Sequence, residues 1–296
     1  MNRLFTFGCS FTQYAWPTWA DILGREFDYF ENWGKLGGGN QYIFNSLIES
    51  NIRNQFTKED TVIIMWTNVT REDRYIEKQW HTPGNIYTSP VYNSDYIKQF
   101  ADDRGYLIRD LATISATVDL LDHWGVKYHM LSMVPITNID QYNKKPSTEQ
   151  DVIDLYSSAV EKIKPSVYEV VFNFDWSSTS IPQTISEQNF NDVMLKEIYN
   201  DLAGPDWPSY EQFRKKDFST VDDHIVDEIH QLFVQDKHKF RNDLHPYPAE
   251  HLMYIEKVLP EYHISDETRN WVSKSDRMAQ QGMKNFSRQI HPKKRL

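Results

Sequence analysis

The sequence predicts an α/β protein, a three-layer α/β/α sandwich built on a parallel sheet. Short apolar runs rich in β-branched and aromatic residues alternate along the chain with longer segments of helical periodicity. That alternation implies right-handed βαβ crossovers, which place parallel strands between two layers of helices. The chain has 296 residues, of which 40% are hydrophobic and 25% charged, as expected of a globular protein with a large core.

Five short segments are predicted as strands. Val62–Trp66 is apolar at every position, which is typical of a central strand buried on both faces. Leu4–Phe7 has the same character and ends at Gly8, whereas the second segment is weaker. The predicted strands are residues 4–7, 28–33, 60–67, 126–134 and 166–172.

Helical spacing of apolar residues occupies the intervals between these strands. Asn40 stands where a helix N-cap is favoured, before an apolar face running from Ile43 to Ile52. Ser147 and Gln150 have the spacing of a capping box. The predicted helices are residues 16–27, 40–52, 95–124 with a break near Gly105, a segment opening at 146–148, and 246–259. Residues 69–93 are turn-rich and are predicted as a long loop.

The chain is predicted to form one domain, residues 1–265, with a polar helical insertion around 140–240. A basic segment, residues 266–296, follows and is interpreted as a solvated, frayed tail, with contact to an anionic surface as the alternative. An Asp- and His-rich stretch at 222–238 is interpreted as a solvated helical face and not as a metal site.

The charge distribution narrows the class of partner. The chain has 42 acidic and 32 basic residues, a net charge of −10. Residues 266–296 contain eight basic and three acidic residues, so residues 1–265 carry a net charge of −15. A body this acidic repels phosphate backbones, which argues against a nucleic-acid partner.

Cysteine content and hydropathy indicate in which cellular compartment the protein is expected. Cys9 is the only cysteine, so an intramolecular disulfide is excluded and a cysteine-based zinc site is disfavoured. The N-terminal residues lack the apolar stretch and cleavage site of a signal peptide, and no apolar run approaches the length of a membrane span. The sequence therefore predicts a soluble, cytoplasmic protein with no membrane partner. It leaves the oligomeric state open.

Chemically useful residues follow several predicted strands, where ligands collect in parallel sheets. Ser10 comes directly after the first strand, Gly37 after the second and Asn68 after the third. Near the C-terminus Asp243 lies two residues before His245. A carboxylate can orient an imidazole that takes a proton from a serine hydroxyl. A turn serine, a glycine-rich turn and a strand-ending asparagine are the structural alternatives.

These segments resemble the four sequence blocks of the SGNH (GDSL-type) hydrolase superfamily of esterases, lipases and carbohydrate deacetylases. Residues 7–12 are similar to the Gly-Asp-Ser block, with Cys9 in place of the aspartate. Residues 32–37 are similar to the second block, and residues 66–69 match the third at Asn68. Asp243-Leu-His245-Pro resembles the fourth, Asp-X-X-His, one residue short.

The resemblance implies a flavodoxin-like sandwich and a serine esterase mechanism. Ser10 would be the nucleophile, with His245 as its base and Asp243 orienting the imidazole. The Ser10 and Gly37 N–H groups and the Asn68 amide would form the oxyanion hole. No metal or organic cofactor is implied. Two alternatives stay open: Asn242 could orient the histidine, and the Cys9 thiolate could be the nucleophile.

Two further residues are predicted to bind substrate. Arg71, just beyond Asn68, could clamp a carboxylate or a sulfate, with an ordinary surface charge cluster as the alternative. Trp66 belongs to an aromatic set whose rings could stack on a sugar, with a loop anchored by buried aromatics as the alternative. The other members of that set are Tyr75, Trp80, His81, Tyr87 and Tyr92.

The function predicted from the sequence is hydrolysis of a carboxylic ester, with an O-acetyl group on a carbohydrate as the best candidate. The partner is then a small-molecule or glycan ester. Two rivals are kept: a non-catalytic glycan-binding or assembly protein on the same fold, and an acyltransferase.

Overall fold

The computed structural model describes residues 2–87, 89, 91–136, 149–171, 207–215, 225 and 245–280. The chain divides into two compact units, Met1–Ser180 with His245–Leu296, and Ile181–Leu244. Within the described residues of the second unit, one helix spans Tyr210–Lys215, and the Ser209 hydroxyl accepts a hydrogen bond from the Gln212 N–H at its start.

The first unit contains a four-stranded parallel sheet. In chain order its strands and those of a separate hairpin are Arg3–Phe7 (β1), Tyr29–Asn32 (β2), Thr61–Trp66 (β3), Arg74–Ile76 (β4), Gln79–His81 (β5) and Lys127–Ser132 (β6). The sheet order is β2-β1-β3-β6, all parallel. Strand β2 pairs with one edge of β1, and β3 pairs with the other edge. The topological switch point, where open α/β sheets bind ligands, therefore lies between the ends of β1 and β3.

Helices cover both faces of this sheet, as the three-layer prediction requires. The described helices of the first unit are Trp19–Gly24 (α1), Asn40–Asn54 (α2), Ser94–Phe100 (α3), Asp103–Trp124 (α4), Gln150–Leu155 (α5), Ser157–Val160 (α6), Val167–Val171 (α7), Pro248–Val258 (α9) and Asp266–Gln280 (α10). The helix at Tyr210–Lys215 (α8) belongs to the second unit. Helix α4 packs against α2 and α6, and α9 packs against α1, α7 and α10. The predicted fold class is confirmed.

The alternation of side chains along each strand explains why both faces are covered. Phe5, Phe7, Ile64 and Trp66 share one face and join the core with α2 and α4. The intervening residues point to the other face and are also fully buried. They include Leu4, Ile63, Met65 and Leu131.

The strand predicted at Ser166–Phe172 is wrong, because Val167–Val171 form a helix. The Ser166 hydroxyl accepts from the Glu169 N–H at 3.3 Å, and Glu169 Oε2 accepts from the Ser166 N–H at 2.7 Å. This reciprocal capping box starts the helix despite its β-branched composition.

The loop predicted at 69–93 contains a β-hairpin, because β4 and β5 pair antiparallel through a two-residue turn. Both turn residues, Glu77 and Lys78, have positive φ, 51° and 63°. That conformation matches the twist of a tight hairpin.

The helix predicted at 16–27 is shorter, Trp19–Gly24, and the start of α2 and the break before α4 also differ from prediction. Gly39, not Asn40, is the N-cap of α2, and Asp73 accepts hydrogen bonds from the Gly39 and Tyr42 N–H groups at 2.9 and 2.8 Å. The break in the long helical segment falls before Asp102, whose carboxylate caps α4 by accepting from the Gly105 N–H. At the far end of the predicted α2 face, Ile52 is 73% exposed.

The frayed-tail interpretation is wrong for Asp266–Gln280, which form α10. Val272 and Ala279 are buried, and Asp276 Oδ1 accepts from the Ala249 N–H in the first turn of α9 at 2.9 Å. Residues 281–296 lie outside the described residues, as do 146–148 and most of the predicted insertion. The predicted domain division stays a prediction. None of the helices in the described ranges is long and apolar enough to span a membrane.

Candidate functional site

Ser10 lies in a tight turn directly after β1. The Cys9 carbonyl accepts from the Thr12 and Gln13 N–H groups at 3.0 and 3.1 Å, so the Ser10 N–H is not used to close the turn. The serine is 6% exposed. Helix α1 begins only at Trp19, so the helix N-terminus expected beside the serine is replaced by this turn.

His245, from the far end of the chain, packs against the segment that follows Ser10. Its ring stacks on Tyr14 with centroids 3.8 Å apart and planes 9° from parallel, and it lies 5.0 Å from the Phe11 ring. The Trp16 indole N–H donates to the Pro246 carbonyl at 2.7 Å and fixes the backbone beside it. The structure therefore brings the predicted nucleophile and base segments together.

Gly37 lies in the turn after β2 with φ of +69°. A Cβ at this position would lie 2.1 Å from the Thr82 carbonyl oxygen, so a larger residue is excluded by both conformation and space. The turn is joined to β1, because the Lys35 N–H donates to the Gly8 carbonyl at 3.1 Å. Asn32 Nδ2 adds a bond to the Thr12 carbonyl at 2.7 Å.

Asn68 follows β3, and its amide has a fixed orientation. Its Oδ1 accepts from the Thr70 N–H at 2.7 Å and from the Thr70 hydroxyl at 2.5 Å. The Asn85 amide donates to that same hydroxyl at 2.7 Å. Because the Asn68 oxygen is engaged within its own loop, the NH₂ group is the part left for a ligand.

The ends of β1 and β3 meet at the sulfur of Met133, which follows β6. Met133 Sδ lies 3.8 Å from Cys9 Sγ and 3.7 Å from Thr67 Oγ1. These are the residues directly before Ser10 and Asn68, so the two candidate catalytic segments share one contact. Cys9 is fully buried, which disfavours it as a nucleophile because a substrate carbonyl cannot reach its sulfur.

A buried polar network holds the loop at 67–71 from behind. Asn40 Oδ1 accepts from the Thr67 N–H at 2.9 Å, and Asn40 Nδ2 donates to the Thr67 carbonyl at 3.0 Å. Arg109 Nη2 donates to the carbonyls of Val69 and Arg71 at 2.9 and 3.0 Å. These contacts grip the backbone on both sides of Asn68.

Asp110 joins the two halves of this network. One carboxylate oxygen accepts from Asn40 Nδ2 at 2.6 Å and the other from Arg109 Nε at 2.7 Å. Burial raises the pKa of Asp110 to about 6, although the hydrogen bonds from Arg109 and Asn40 oppose the shift. Burial also raises the pKa of Asp73, the cap of α2.

Arg71 is buried, with 7% of its surface exposed, so it does not belong to a surface charge cluster. Nη1 donates to the Gly38 carbonyl at 3.1 Å, and Nη2 lies 3.8 Å from Met133 Sδ. The guanidinium therefore lies between the turn after β2 and the residue that contacts Cys9. In contrast, the neighbouring Arg74 is half-exposed and paired with Glu72.

The position of Trp66 does not support the predicted stacking on substrate. The ring is fully buried in the core with Phe7 and Ile64, so neither face is available to a sugar. Trp80 is also partly buried, edge-on to Tyr42. Tyr75 is the most exposed aromatic of the hairpin, at 55%.

The predicted residues that would orient His245 lie outside the described residues, as does most of the Asp- and His-rich stretch. Asp243 and its alternative Asn242 lie outside the described residues, as does all of the 222–238 stretch except Ile225. Within the described ranges, no group of three or more His, Cys, Asp and Glu side chains could hold a metal ion.

Sequence reasoning missed Asp110, Arg109, Asp73 and Met133. One signal was present for Asp110, a carboxylate on the apolar face that Leu107, Leu111 and Ile114 form on α4. A charge on a buried helical face needs polar partners, and such positions are candidates for networks beneath a site. No local pattern marks the other three, since their partners are distant in sequence.

No family model matches the sequence, and no curated protein matches it. Among solved structures, the chain is similar to a proposed lipolytic protein of the G-D-S-L family from Desulfitobacterium hafniense DCB-2, with 15% identity, a TM-score of 0.34 and coverage of 73% of this chain and 96% of the other. It is also similar to a member of the lipolytic protein G-D-S-L family from Veillonella parvula DSM 2008, with 16% identity, a TM-score of 0.34 and coverage of 60% and 84%. At these TM-scores the likeness is distant and decides nothing about activity.

Proposed function

We propose that this protein is a serine esterase of the SGNH type that removes a short acyl group, with an O-acetyl ester of a carbohydrate as substrate. Ser10 is the nucleophile, His245 the base and Asp243 the residue that orients the imidazole. The observation that carries the proposal is the stack of His245 on Tyr14, at 3.8 Å, four residues beyond Ser10. This stack supports the proposal because it packs the candidate base against the segment that follows the candidate nucleophile.

In the first half of the reaction the Ser10 hydroxyl oxygen bonds to the ester carbonyl carbon while its proton passes to His245. The tetrahedral intermediate then expels the alcohol, which takes that proton from His245. In the second half His245 removes a proton from water as the water oxygen attacks the carbonyl carbon of the acyl-serine. The resulting intermediate expels the Ser10 oxygen, which takes the proton back from His245, and the carboxylic acid is released. No step requires a metal or an organic cofactor.

The oxyanion of each tetrahedral intermediate is held by the Ser10 and Gly37 N–H groups and the Asn68 amide. Support comes from the orientation of Asn68, whose oxygen is bound to Thr70. A pre-oriented donor of this kind contributes about a hundredfold to a thousandfold in rate. The hydrogen bonds of Asn40 and Arg109 to the backbone of the same loop limit its movement during the reaction.

A carbohydrate substrate is supported by the hairpin beside Gly37. Thr82, directly after β5, packs on Gly37, and its hydroxyl donates to the Leu36 carbonyl at 2.7 Å. Tyr75 on β4 is exposed and lies 5.5 Å from the Trp80 ring, edge to face. An exposed aromatic ring on the hairpin whose end packs against the oxyanion glycine suits the apolar face of a sugar ring.

The test is hydrolysis of p-nitrophenyl acetate, with fluorophosphonate labelling, by wild type and three variants. Ser10→Ala and His245→Ala are expected to lose at least about a thousandfold in kcat/KM, and Ser10→Ala to lose labelling. Cys9→Ala is the matched control, one residue from the nucleophile, and should keep activity and label.

Other outcomes would contradict the proposal in distinct ways. Loss of activity only in Cys9→Ala would make the nucleophile a thiol. A wild type that neither hydrolyses the ester nor reacts with fluorophosphonate would favour a non-catalytic glycan-binding protein. Release of product that depends on an added alcohol acceptor would indicate an acyltransferase.

A further inference from the structure

Arg71 is a buried cation whose charge has no close anionic partner. Among the described residues no carboxylate lies within 4.0 Å of its guanidinium, although nine other arginine and lysine side chains have a carboxylate within that limit. Its hydrogen-bond acceptors are a backbone carbonyl, that of Gly38, and the weakly accepting sulfur of Met133. Nε is buried and has no hydrogen-bond partner.

The neighbouring acid does not neutralise this charge directly. The Arg71 charge lowers the pKa of Asp73, which burial raises overall, so the two groups interact through space. The oxygens of Asp73, however, accept from the Gly39 and Tyr42 N–H groups at the start of α2. A buried guanidinium with N–H groups to spare is costly unless an anion completes its contacts.

The guanidinium of Arg71 lies beside the proposed active site. Nη1 donates a hydrogen bond to the carbonyl of Gly38, the residue after Gly37. Nη2 contacts the sulfur of Met133, which in turn contacts Cys9, the residue before Ser10. The Arg109 bond to the Arg71 carbonyl holds the backbone in place. The cation is therefore fixed between the nucleophile turn and the oxyanion turn.

We propose that Arg71 binds an oxyanion substituent, a carboxylate or a sulfate, carried by the ester substrate, and so selects anionic esters over neutral ones. The inference rests on the proposed esterase function and names its substrate class. A guanidinium forms charge-assisted N–H···O bonds with a carboxylate or a sulfate, and the guanidinium of Arg71 has no carboxylate partner among the described residues. Low exposure of the site strengthens the attraction, because less water screens it.

The test compares three acetate esters: para-acetoxybenzoate, para-acetoxyphenyl sulfate and the neutral methyl para-acetoxybenzoate. Each kcat/KM is divided by the rate constant for alkaline hydrolysis of the same ester, which removes differences in intrinsic reactivity. Wild type is expected to prefer at least one anionic ester over the neutral one by about tenfold or more. The two anionic esters distinguish a carboxylate from a sulfate.

Variants assign the preference to Arg71. Arg71→Met should reduce the preference to about one, and Arg71→Lys, which keeps the charge without the fork, should retain part of it. Arg74→Met is the matched control, an arginine three residues away that is half-exposed and paired with Glu72, and should leave the preference unchanged. An anionic-to-neutral ratio of one or less in wild type overturns the proposal, whether or not Arg71→Met folds.

A binding measurement separates this inference from the esterase proposal. Calorimetric titration with benzoate, and with the neutral benzamide as reference, needs no turnover. If wild type hydrolyses none of the esters but binds benzoate, and Arg71→Met does not, the esterase proposal fails while Arg71 remains an anion site. If wild type hydrolyses the esters but neither ester preference nor benzoate affinity depends on Arg71, the residue only supports the Gly38 backbone.

Discussion

Asn40 holds the backbone of Thr67 through both ends of its amide, accepting from the Thr67 N–H at 2.9 Å and donating to the Thr67 carbonyl at 3.0 Å. The first residue of α2 thus replaces the strand partner that Thr67 loses where β3 ends. Because Thr67 directly precedes Asn68, this pair sets the position of the proposed oxyanion donor.

Asn40→Ala is expected to lower the free energy of unfolding by about 2–4 kcal/mol. The substitution leaves two buried backbone groups of Thr67 unsatisfied and removes a donor from Asp110. Urea unfolding measures the loss. Asn45→Ala is the control, because that exposed side chain bonds only to the Gln41 carbonyl of its own helix, and it should change stability by less than about 0.5 kcal/mol. Equal losses in the two variants would contradict the role assigned to Asn40.

Asp110 should make stability depend on pH in the mildly acidic range. Its folded-state pKa is about 6, above the ordinary 3.8, so the folded protein holds this proton more tightly than the unfolded chain does. The contribution of Asp110 to stability is therefore fully present below about pH 4 and is lost as the pH rises through about 6, by up to about 3 kcal/mol.

The measurement is urea unfolding of wild type and Asp110→Asn at intervals from pH 4 to 7. The difference in unfolding free energy, wild type minus variant, should fall across this range and level off above it. Asp154→Asn, at an exposed aspartate of α5, should run parallel to wild type. Parallel curves for Asp110→Asn would show that its ionisation does not affect folding.

Gly37→Ala should destabilise the protein more than Gly125→Ala. Both glycines have similar positive φ, +69° and +67°, which costs an alanine about 1 kcal/mol. A Cβ at Gly37 would also meet the Thr82 carbonyl, whereas a Cβ at Gly125 meets nothing within 4 Å. The difference between the melting temperatures of the two variants measures the destabilisation caused by the clash with Thr82. Equal shifts would show that the end of the hairpin moves away from residue 37 with no loss of stability.

Removal of α10 should weaken the fold. A chain ending at Ser265 loses the buried Val272 and Ala279 and the hydrogen bond from the Ala249 N–H to Asp276. The melting temperature is expected to fall by at least about 5 °C, since several buried apolar contacts to α9 disappear. A chain ending at Gln280 retains α10 and is the control. Identical melting curves for the two truncations would restore the frayed-tail interpretation.

Much of the fold could be predicted from the sequence because its signals are local. Val62–Trp66 is apolar at every position and became the fully buried β3. Ser10, Gly37 and Asn68 directly follow strands or their turns, so a parallel sheet brings them to one edge. Local signals misled where two competed: Val167–Val171 has a strand-like composition, but Ser166 and Glu169 cap it as a helix.

The rest depends on contacts between distant residues, which no local pattern encodes. Asp73 reaches back 34 residues to cap α2, and Asn40 reaches forward 70 residues to Asp110. Trp66 is predicted from its position to bind substrate. Side chains alternate along a strand, however, so Trp66 lies on the same face of β3 as Ile64, in the core. The sequence predicts that Arg71 lies near the site. Its burial depends on contacts with Gly38 and Met133, which follow β2 and β6.

The hydrogen bond between Trp16 and Pro246 spans 230 residues. A ribosome adds His245 long after the turn that contains Ser10 has emerged, so the nascent chain carries the proposed nucleophile without its proposed base for most of its synthesis. The proposed active site is therefore complete only when the segment that contains His245 packs against the segment that follows Ser10. Under the proposed mechanism, a fragment that ends before His245 lacks the base and is expected to hydrolyse no ester, however well its sheet has formed.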